Sequence, residues 1–398
     1  MKNSRPSETS SDGTVDFLLL LYGSYEQDGR VQRMVGILEC LGSVMILHTG
    51  SRSGLIRTGH CSVHAQGLRM QEDASPIQRH MRFAREAFKL TRRLSPGVIV
   101  AEDYFTCVPA WISAVIGGAK LVYDAHELIV PADSERMSLR RRAWYYGEWL
   151  AMARIDLVFA ANPDRCRIMA EHYNLDEIPT PLRNIPPLAP HGRPTERDEV
   201  VALMERVRAQ HKHLLLYQGY VSLERGLDSF VAALAHLPEA FHFVIVGPGP
   251  DIDAAKQLVC KQGVRERVTI TGPISQDKLR YVTEMADVGI VTYPYVGLNN
   301  VYCASNKVFE YAQSGLPVIC TAQPPLLDIV QKYGIGSVIH EGYAPEEIAK
   351  VIRDLVEKLS AFRPGLARLV EEHTWEKEAN RAFSRVGLLV GREGRAES

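Results

Sequence analysis

The stretch from Asn299 to Ile319, NNVYCASNKVFEYAQSGLPVI, combines a helix start, one carboxylate on that helix and a Gly-Leu-Pro stop. Ser305 is a good N-cap, since its hydroxyl can accept from an orphan N–H of the first turn. Residues 306 to 314 then make about two and a half turns, and Gly315 suits the left-handed conformation that ends helices. A strand is expected from Pro317 to Thr321. The N–H groups around Ala304 to Lys307, including Ser305 and Asn306, with the helix dipole behind them and the Lys307 charge nearby, are expected to make a seat for a diphosphate. Glu310 lies one turn further in on the same face. A carboxylate there can accept two hydrogen bonds from a ribose diol. The same pattern also describes a plain capped amphipathic helix with Glu310 in solvent.

Short apolar runs alternate with helical patterns along the whole chain, as in parallel sheets wound with crossover helices. In the first half the runs are FLLLLY (17 to 22), VMILH (44 to 48), VIVA (98 to 101), KLVYD (120 to 124) and LVFAA (157 to 161). A polar, Pro-rich passage from Pro179 to Arg197 interrupts the alternation. It restarts with HLLLYQG (213 to 219), FHFVIVG (241 to 247), VTITG (268 to 272), DVGIVTY (287 to 293), LPVICT (316 to 321) and GSVIH (336 to 340). The expected organisation is a flexible lead-in over 1 to 14 and a first Rossmann-like domain over 15 to 190. A linker over 191 to 210, a second Rossmann-like domain over 211 to 372 and a closing helical segment over 373 to 398 follow.

The 398 residues exceed one ordinary core and suit two or three domains. Basic and acidic residues number 46 and 47, so the basic footprint of a nucleic-acid partner is missing. Seven scattered cysteines without metal-ligand spacing read as reduced thiols of a cytoplasmic protein. The N-terminus has no apolar signal core, and residues 16 to 22 are too few to span a bilayer.

Ligands of open α/β sheets bind beyond the carboxyl ends of the strands, so the loops there are the candidates for chemistry. QGYVSLERGLDSF (218 to 230) leaves a strand through Gly219 and enters a helix at Gly226, with Arg225 at the junction. VGPGPD (246 to 251) is a turn carrying Gly247 and Gly249. Asp251-Ile252-Asp253 opens a helix and reads as N-terminal helix charge, so no metal site is expected. In the first half, YDAHEL (123 to 128) follows a strand and offers His126, with a His bonded to a loop carbonyl as the structural alternative. Asp103 ends the preceding strand, and Gly23 lies in YGSYEQDGR (22 to 30), a loop without Gly-x-Gly-x-x-Gly and so unlike a dinucleotide site.

The 299 to 319 stretch resembles the nucleotide-binding element of glycosyltransferase family four, in the subset written Asn-Asn-x-Tyr, Asn-Lys-x-Phe-Glu-Tyr, Gly-Leu-Pro-Val. The resemblance implies an α/β GT-B fold: two doubly wound Rossmann-like domains facing across a cleft, with the last helix crossing back to the first domain, as HTWEKEANRAF (373 to 383) suggests. It implies that Glu310 and Arg225 contact the donor and that His126 lies near the donor sugar, these three being the catalytic candidates. Gly219, Gly247, Gly249, Ser305, Asn306 and Lys307 would bind the donor, with Gly23 and Asp103 on the acceptor side. The wider family has a glutamate where this chain has Tyr302 and a second basic residue where it has Tyr220.

The activity expected is metal-independent, retaining transfer of a sugar from a nucleoside diphosphate sugar to a hydroxyl acceptor, with no cofactor beyond the co-substrate. The alternatives are a nucleotide-sugar epimerase or hydrolase of the same fold and a non-catalytic nucleotide-sugar-binding protein. SERMSLRRRAWYYGEWLAMARI (134 to 155) raises a further pair of readings: arginines and aromatics meeting anionic lipid at the inner face of a membrane, where the acceptor could be lipid-linked, or aromatics facing a core with the arginines solvated. The core reading is the expected one.

Overall fold

Runs of branched and long apolar residues too short for helices are buried on both faces, the pattern of parallel strands covered by helices. All five residues of FLLLL are buried, and each such side chain contributes about 1.5–3 kcal/mol relative to exposure. The computed structural model describes residues 14–57, 62–70, 73–132, 135–188 and 199–392. It divides into two compact units, Met1–Arg183 with Glu376–Ser398, and Asn184–Trp375.

The first unit contains β1 (Phe17–Leu21), β2 (Val44–His48), β3 (Gly54–Arg57), β4 (Ser62–Gly67), β5 (Val98–Glu102), β6 (Lys120–Ala125), β7 (Leu157–Ala160) and β8 (Thr180–Pro181). They form one sheet in the order β3-β4-β2-β1-β5-β6-β7-β8, parallel except for β3 against β4. Phe17 pairs with Val44 on one side and Val98 on the other, so the strand order reverses at β1 and β5. The helix Trp375–Leu389 belongs with this unit. Its buried Glu378 accepts from the Arg183 backbone at 2.9 Å and side chain at 3.1 Å, and just beyond the helix Arg392 pairs with Asp16 at 2.7 Å.

The second unit contains β9 (His213–Gln218), β10 (Phe241–Val246), β11 (Val268–Gly272), β12 (Val288–Val291), β13 (Val318–Thr321) and β14 (Gly336–Ile339). Its order is β11-β10-β9-β12-β13-β14 with every pair parallel. The reversal lies between β9 and β12, where ligands of such sheets bind.

Several sequence expectations change here. The passage read as linker over 191 to 210 ends in a helix, Glu199–Gln210, because Val201, Met204 and Val207 recur at helical spacing and are buried; residues 189–198, like the lead-in through residue 13, lie outside the described residues. Strands β3, β4 and β8 were not foreseen, being short or polar. Ser305 is not an N-cap: the helix is Lys307–Gln313, flanked by Asn306, and no side chain caps it. The described cysteines, Cys40, Cys107, Cys166, Cys260, Cys303 and Cys320, are free thiols. Among the described residues no helix is long and apolar enough to cross a membrane.

Candidate functional site

In the second unit β9 and β12 pair only at Val288–Leu215 and Gly289–Leu216, which leaves backbone groups at the end of β9 to be satisfied otherwise. Tyr311 does this. Its hydroxyl donates to Leu216 O at 3.1 Å and accepts from Gln218 N at 3.1 Å. The ring fits because position 289 is glycine; a Cβ there would lie 2.3 Å from the ring. Tyr311 therefore pins the helix Lys307–Gln313 to the switch point, and with it Glu310 and Lys307.

Glu310 is held from β9: Gln218 Nε2 donates to its carboxylate, and Gln218 Oε1 lies 2.8 Å from Thr283 Oγ1. Lys307 is buried, and its Nζ has no hydrogen-bond partner. That ammonium lies 4.5 Å from the Tyr217 ring centroid and 5.5 Å from that of Tyr293. Arg225 Cζ lies 5.0 Å from the same Tyr293 centroid and 5.8 Å from that of Tyr220. Burial, and then the Arg225 charge, bring the Lys307 pKa down to about 7. Two cations thus meet around one aromatic ring, a placement that an anion between them would relieve. Ser305 Oγ, also buried, has no hydrogen-bond partner.

The glycines bring the neighbouring loops together. Gly219 has φ 123° and Gly247 φ 136°, and a Cβ on Gly247 would fall 1.9 Å from Gly219 O, one on Gly249 2.0 Å from Val221 O. Backbone bonds from Gly219 N to Val246 O and from Val221 N to Pro248 O, each 2.8 Å, join the two loops. Gly247 and Gly249 therefore act first by letting one loop pack on the other. A Cβ on Gly219 would reach 2.7 Å from Lys307 Cε, so that glycine makes room for the lysine. Asp251 accepts from Leu223 N at 2.9 Å, which anchors the single turn Leu223–Arg225, and Asp253 pairs with Lys256 at 3.0 Å.

In the first unit His126 Nε2 lies 2.8 Å from Glu102 Oε2 and 3.5 Å from Asp124 Oδ2. Glu102 closes β5 and Asp124 is the penultimate residue of β6. Asp124 also accepts from Arg30, at 2.8 Å from Nε and 2.5 Å from Nη2, while Arg30 Nη1 donates to Leu182 O at 2.8 Å. Burial opposes charge on His126, but its bonds to Asp124 and Glu102 outweigh this and raise its pKa well above the usual imidazole range. Burial also raises Glu102; it opposes charge on Asp124 too, but Arg30 and His126 hold that carboxyl down. Glu102, Asp124 and His126 offer ligand atoms within 4.8 Å of one another, the spacing of a metal group. Both Asp124 oxygens, however, already accept from Arg30, so the charges balance among the side chains themselves.

Asp103 has φ 61° with ψ 166°, a region almost reserved for glycine. Its carboxylate accepts from Glu127 N at 3.4 Å, and burial pushes its pKa up to about 6. Gly23 accepts at its carbonyl from Thr49 N at 2.9 Å; its own conformation is ordinary and requires no glycine.

Residues 212–358 match the family model described as Glycosyl transferases group 1. Alpha-D-kanosaminyltransferase of Streptomyces kanamyceticus is 26% identical over 148 residues, 33% of this chain and 38% of its own. D-inositol 3-phosphate glycosyltransferase of Geodermatophilus obscurus is 24% identical over 289 residues, 67% and 62% of the two chains. The chain thus spans about four to six tenths of the length of these relatives. Among solved structures, Anabaena HepE in complex with UDP and glucose superposes with TM-score 0.73 at 14% identity over 94% of this chain and 99% of its own. WaaG, a glycosyltransferase involved in lipopolysaccharide biosynthesis, gives 0.70 at 17% identity over 93% and 99%. These likenesses show the GT-B fold expected from the sequence.

The group 1 match covers Gly219, Arg225, Gly247, Gly249, Ser305, Asn306, Lys307 and Glu310 and leaves His126, Asp103 and Gly23 outside it. Gln218, Tyr293 and Tyr311 were not singled out from the sequence. All three lie in the stretches 218 to 230, 287 to 293 and 299 to 319, but their roles depend on which strand ends lie side by side. Tyr302 closes the short helix Leu298–Val301.

Proposed function

We propose that this protein is a glycosyltransferase that moves a sugar from a nucleoside diphosphate sugar to a hydroxyl acceptor. The observation that carries the reading is the buried Lys307, without a hydrogen-bond partner and sharing the Tyr293 ring with Arg225 at the switch point of the second sheet. A diphosphate is the ligand whose charge and size suit two cations and the Gly219 backbone. The membership of 212–358 in the group 1 match and the UDP and glucose held by a neighbour of the same fold support it.

Glu310, fixed by Gln218, accepts from the ribose hydroxyls. Arg225 and Lys307 stabilise the charge that grows on the departing diphosphate, the interaction worth most in such a transfer. They supply positive charge where other transferases use a divalent ion, which makes the reaction metal-independent. Transfer with retention follows if the donor phosphate itself takes the acceptor proton. Because Glu102 and Asp124 keep His126 charged, it serves as a hydrogen-bond donor through Nδ1 and not as the general base. Asp103 and the Gly23 loop serve the acceptor.

The test is a panel of nucleoside diphosphate sugars in thermal shift, followed by product analysis with and without acceptors. Stabilisation by a donor and nucleotide release that depends on an acceptor are expected. An altered sugar nucleotide without acceptor would assign epimerisation, and no stabilisation by any donor would remove the reading.

A further inference from the structure

The helices Pro76–Leu94, Tyr104–Gly117 and Leu139–Met152 lie side by side on the first unit's sheet. Glycines allow the close approach: a Cβ on Gly117 would lie 2.7 Å from Thr91 Cγ2, and one on Gly147 2.8 Å from Val108 Cγ2. The outer face of this layer does not look like an ordinary solvated surface. Leu139 is 83% exposed, Ile77 72% and Met81 67%, and Val115, Ile116 and Trp149 are each about half exposed. The expectation that the aromatics of 134 to 155 face a core holds for Trp144, whose ring lies 4.6 Å from His80 and 5.1 Å from Phe105. It fails for Trp149 and Tyr146, which point outward because Gly147 and the buried Glu148 take the inward face of that turn.

Charge is as one-sided as exposure. The three helices carry nine Arg and Lys residues against two glutamates, in a chain whose formal net charge is −1. One glutamate, Glu148, is buried with Tyr123 and Tyr173 donating to it, and burial brings its pKa up to about 7. The other, Glu86, is flanked by Arg85 and Lys89. Arg141 pairs with Glu135, while Arg140 and Arg142 stand exposed on the same helix as Leu139 and Trp149.

We infer that this helix layer is a docking surface for an anionic lipid bilayer. Apolar side chains that protrude from a basic face match the two components of an interface, acyl chains beneath and negative headgroups above. A protein partner of the same area would answer nine cations with acidic residues, whereas a bilayer supplies that charge without a specific shape. Contact is interfacial, since none of the three helices can span. The inference stands apart from the donor-site reading, whose diphosphate-binding cations, Arg225 and Lys307, lie in the second unit.

Vesicle co-sedimentation with the full chain tests it. Binding to phosphatidylcholine vesicles carrying about 30% phosphatidylglycerol should exceed binding to phosphatidylcholine alone by about tenfold, and salt should weaken it. Arg140→Gln with Arg142→Gln should remove most of the anionic preference. Leu139→Gln with Trp149→Gln should lower binding to both kinds of vesicle, and all four positions are exposed enough to leave folding intact. Thermal shift by UDP, measured in parallel, reports the second unit and should not change with these variants. Equal sedimentation with and without anionic lipid would overturn the inference. So would a concentration-dependent dimer that the Leu139 and Trp149 changes convert to monomer, since a second copy would then cover the face.

Discussion

Arg30 in the first unit and Lys307 in the second are equally inaccessible, each 7% exposed, yet their surroundings differ. Arg30 gives Asp124 two hydrogen bonds and Leu182 a third, and Asp124 and Glu102 together hold His126. Lys307 has aromatic rings and Arg225 around it and no hydrogen-bond acceptor. A buried charge costs several kcal/mol unless paired; Arg30 finds its partners within the free protein, while Lys307, on the proposed reading, would gain its partner from a ligand. On the proposed reading, pairing distinguishes a network that positions a side chain from one that would receive a substrate.

The largest effect expected tests the Arg30–Asp124 pair of the first unit. Arg30→Met leaves Asp124 without its main partner and should cost about 3–5 kcal/mol in denaturant unfolding, whereas Arg30→Met combined with Asp124→Leu should recover much of that loss. A single variant as stable as the parent would show that the pair contributes nothing. In the second unit Arg225→Ala should lower kcat/KM by about a hundredfold to a thousandfold with little change in Tm. An unchanged kcat/KM would place the diphosphate elsewhere.

Lys307→Met sharpens the contrast, because one change should move stability and binding in opposite directions. The variant should melt at a higher temperature than the parent and lose the thermal shift given by UDP. The folded pKa of Lys307, about 7, lies below its ordinary 10.5, so the unfolded chain binds the extra proton between these values. The penalty for burying this lysine is therefore full below pH about 7 and fades as pH rises toward 10.5. The gap in Tm between parent and Lys307→Met should close over that range, and UDP affinity should fall as pH rises above about 7. A gap that is independent of pH would mean that the amine is already paired.

Glu310→Gln keeps the shape and removes the charge that Gln218 meets and that the proposed ribose contact would use. A loss of about tenfold in kcat/KM is expected, the value of one charge-assisted hydrogen bond. Asp103→Gly should have the smallest effect on stability, a gain of about 1 kcal/mol from relief of the backbone at φ 61°. If that gain comes with lower transfer, Asp103 keeps its strained conformation for function; if activity is unchanged, the strain serves only the turn into the helix Tyr104–Gly117.

The strands with five or six consecutive buried residues were legible because an apolar run of that length between turn residues has few other uses. β3 and β8 were not, since an edge strand such as Gly54–Arg57 needs no apolar run, and β4, though paired on both sides, alternates apolar with polar residues. The Ser305 cap failed for a local reason: a capping residue is recognised by type, but the chain placed Ser305 inside a buried turn where its hydroxyl finds no N–H.

By itself the sequence determined the two alternating α/β halves, the Gly-rich loops after β9 and β10, and the cluster of Arg225, Lys307 and Glu310 as candidates, because period, turn chemistry and charge are properties of short segments. Only the tertiary structure decided which of these groups share a neighbour. That Tyr311 closes the gap between β9 and β12, that Gln218 holds Glu310, that Lys307 lacks a hydrogen-bond partner while Arg30 has three bonds, and that Trp149 faces outward all depend on residues from 14 to 152 positions away. Such contacts are set by how strands are ordered and helices packed, which no local pattern records.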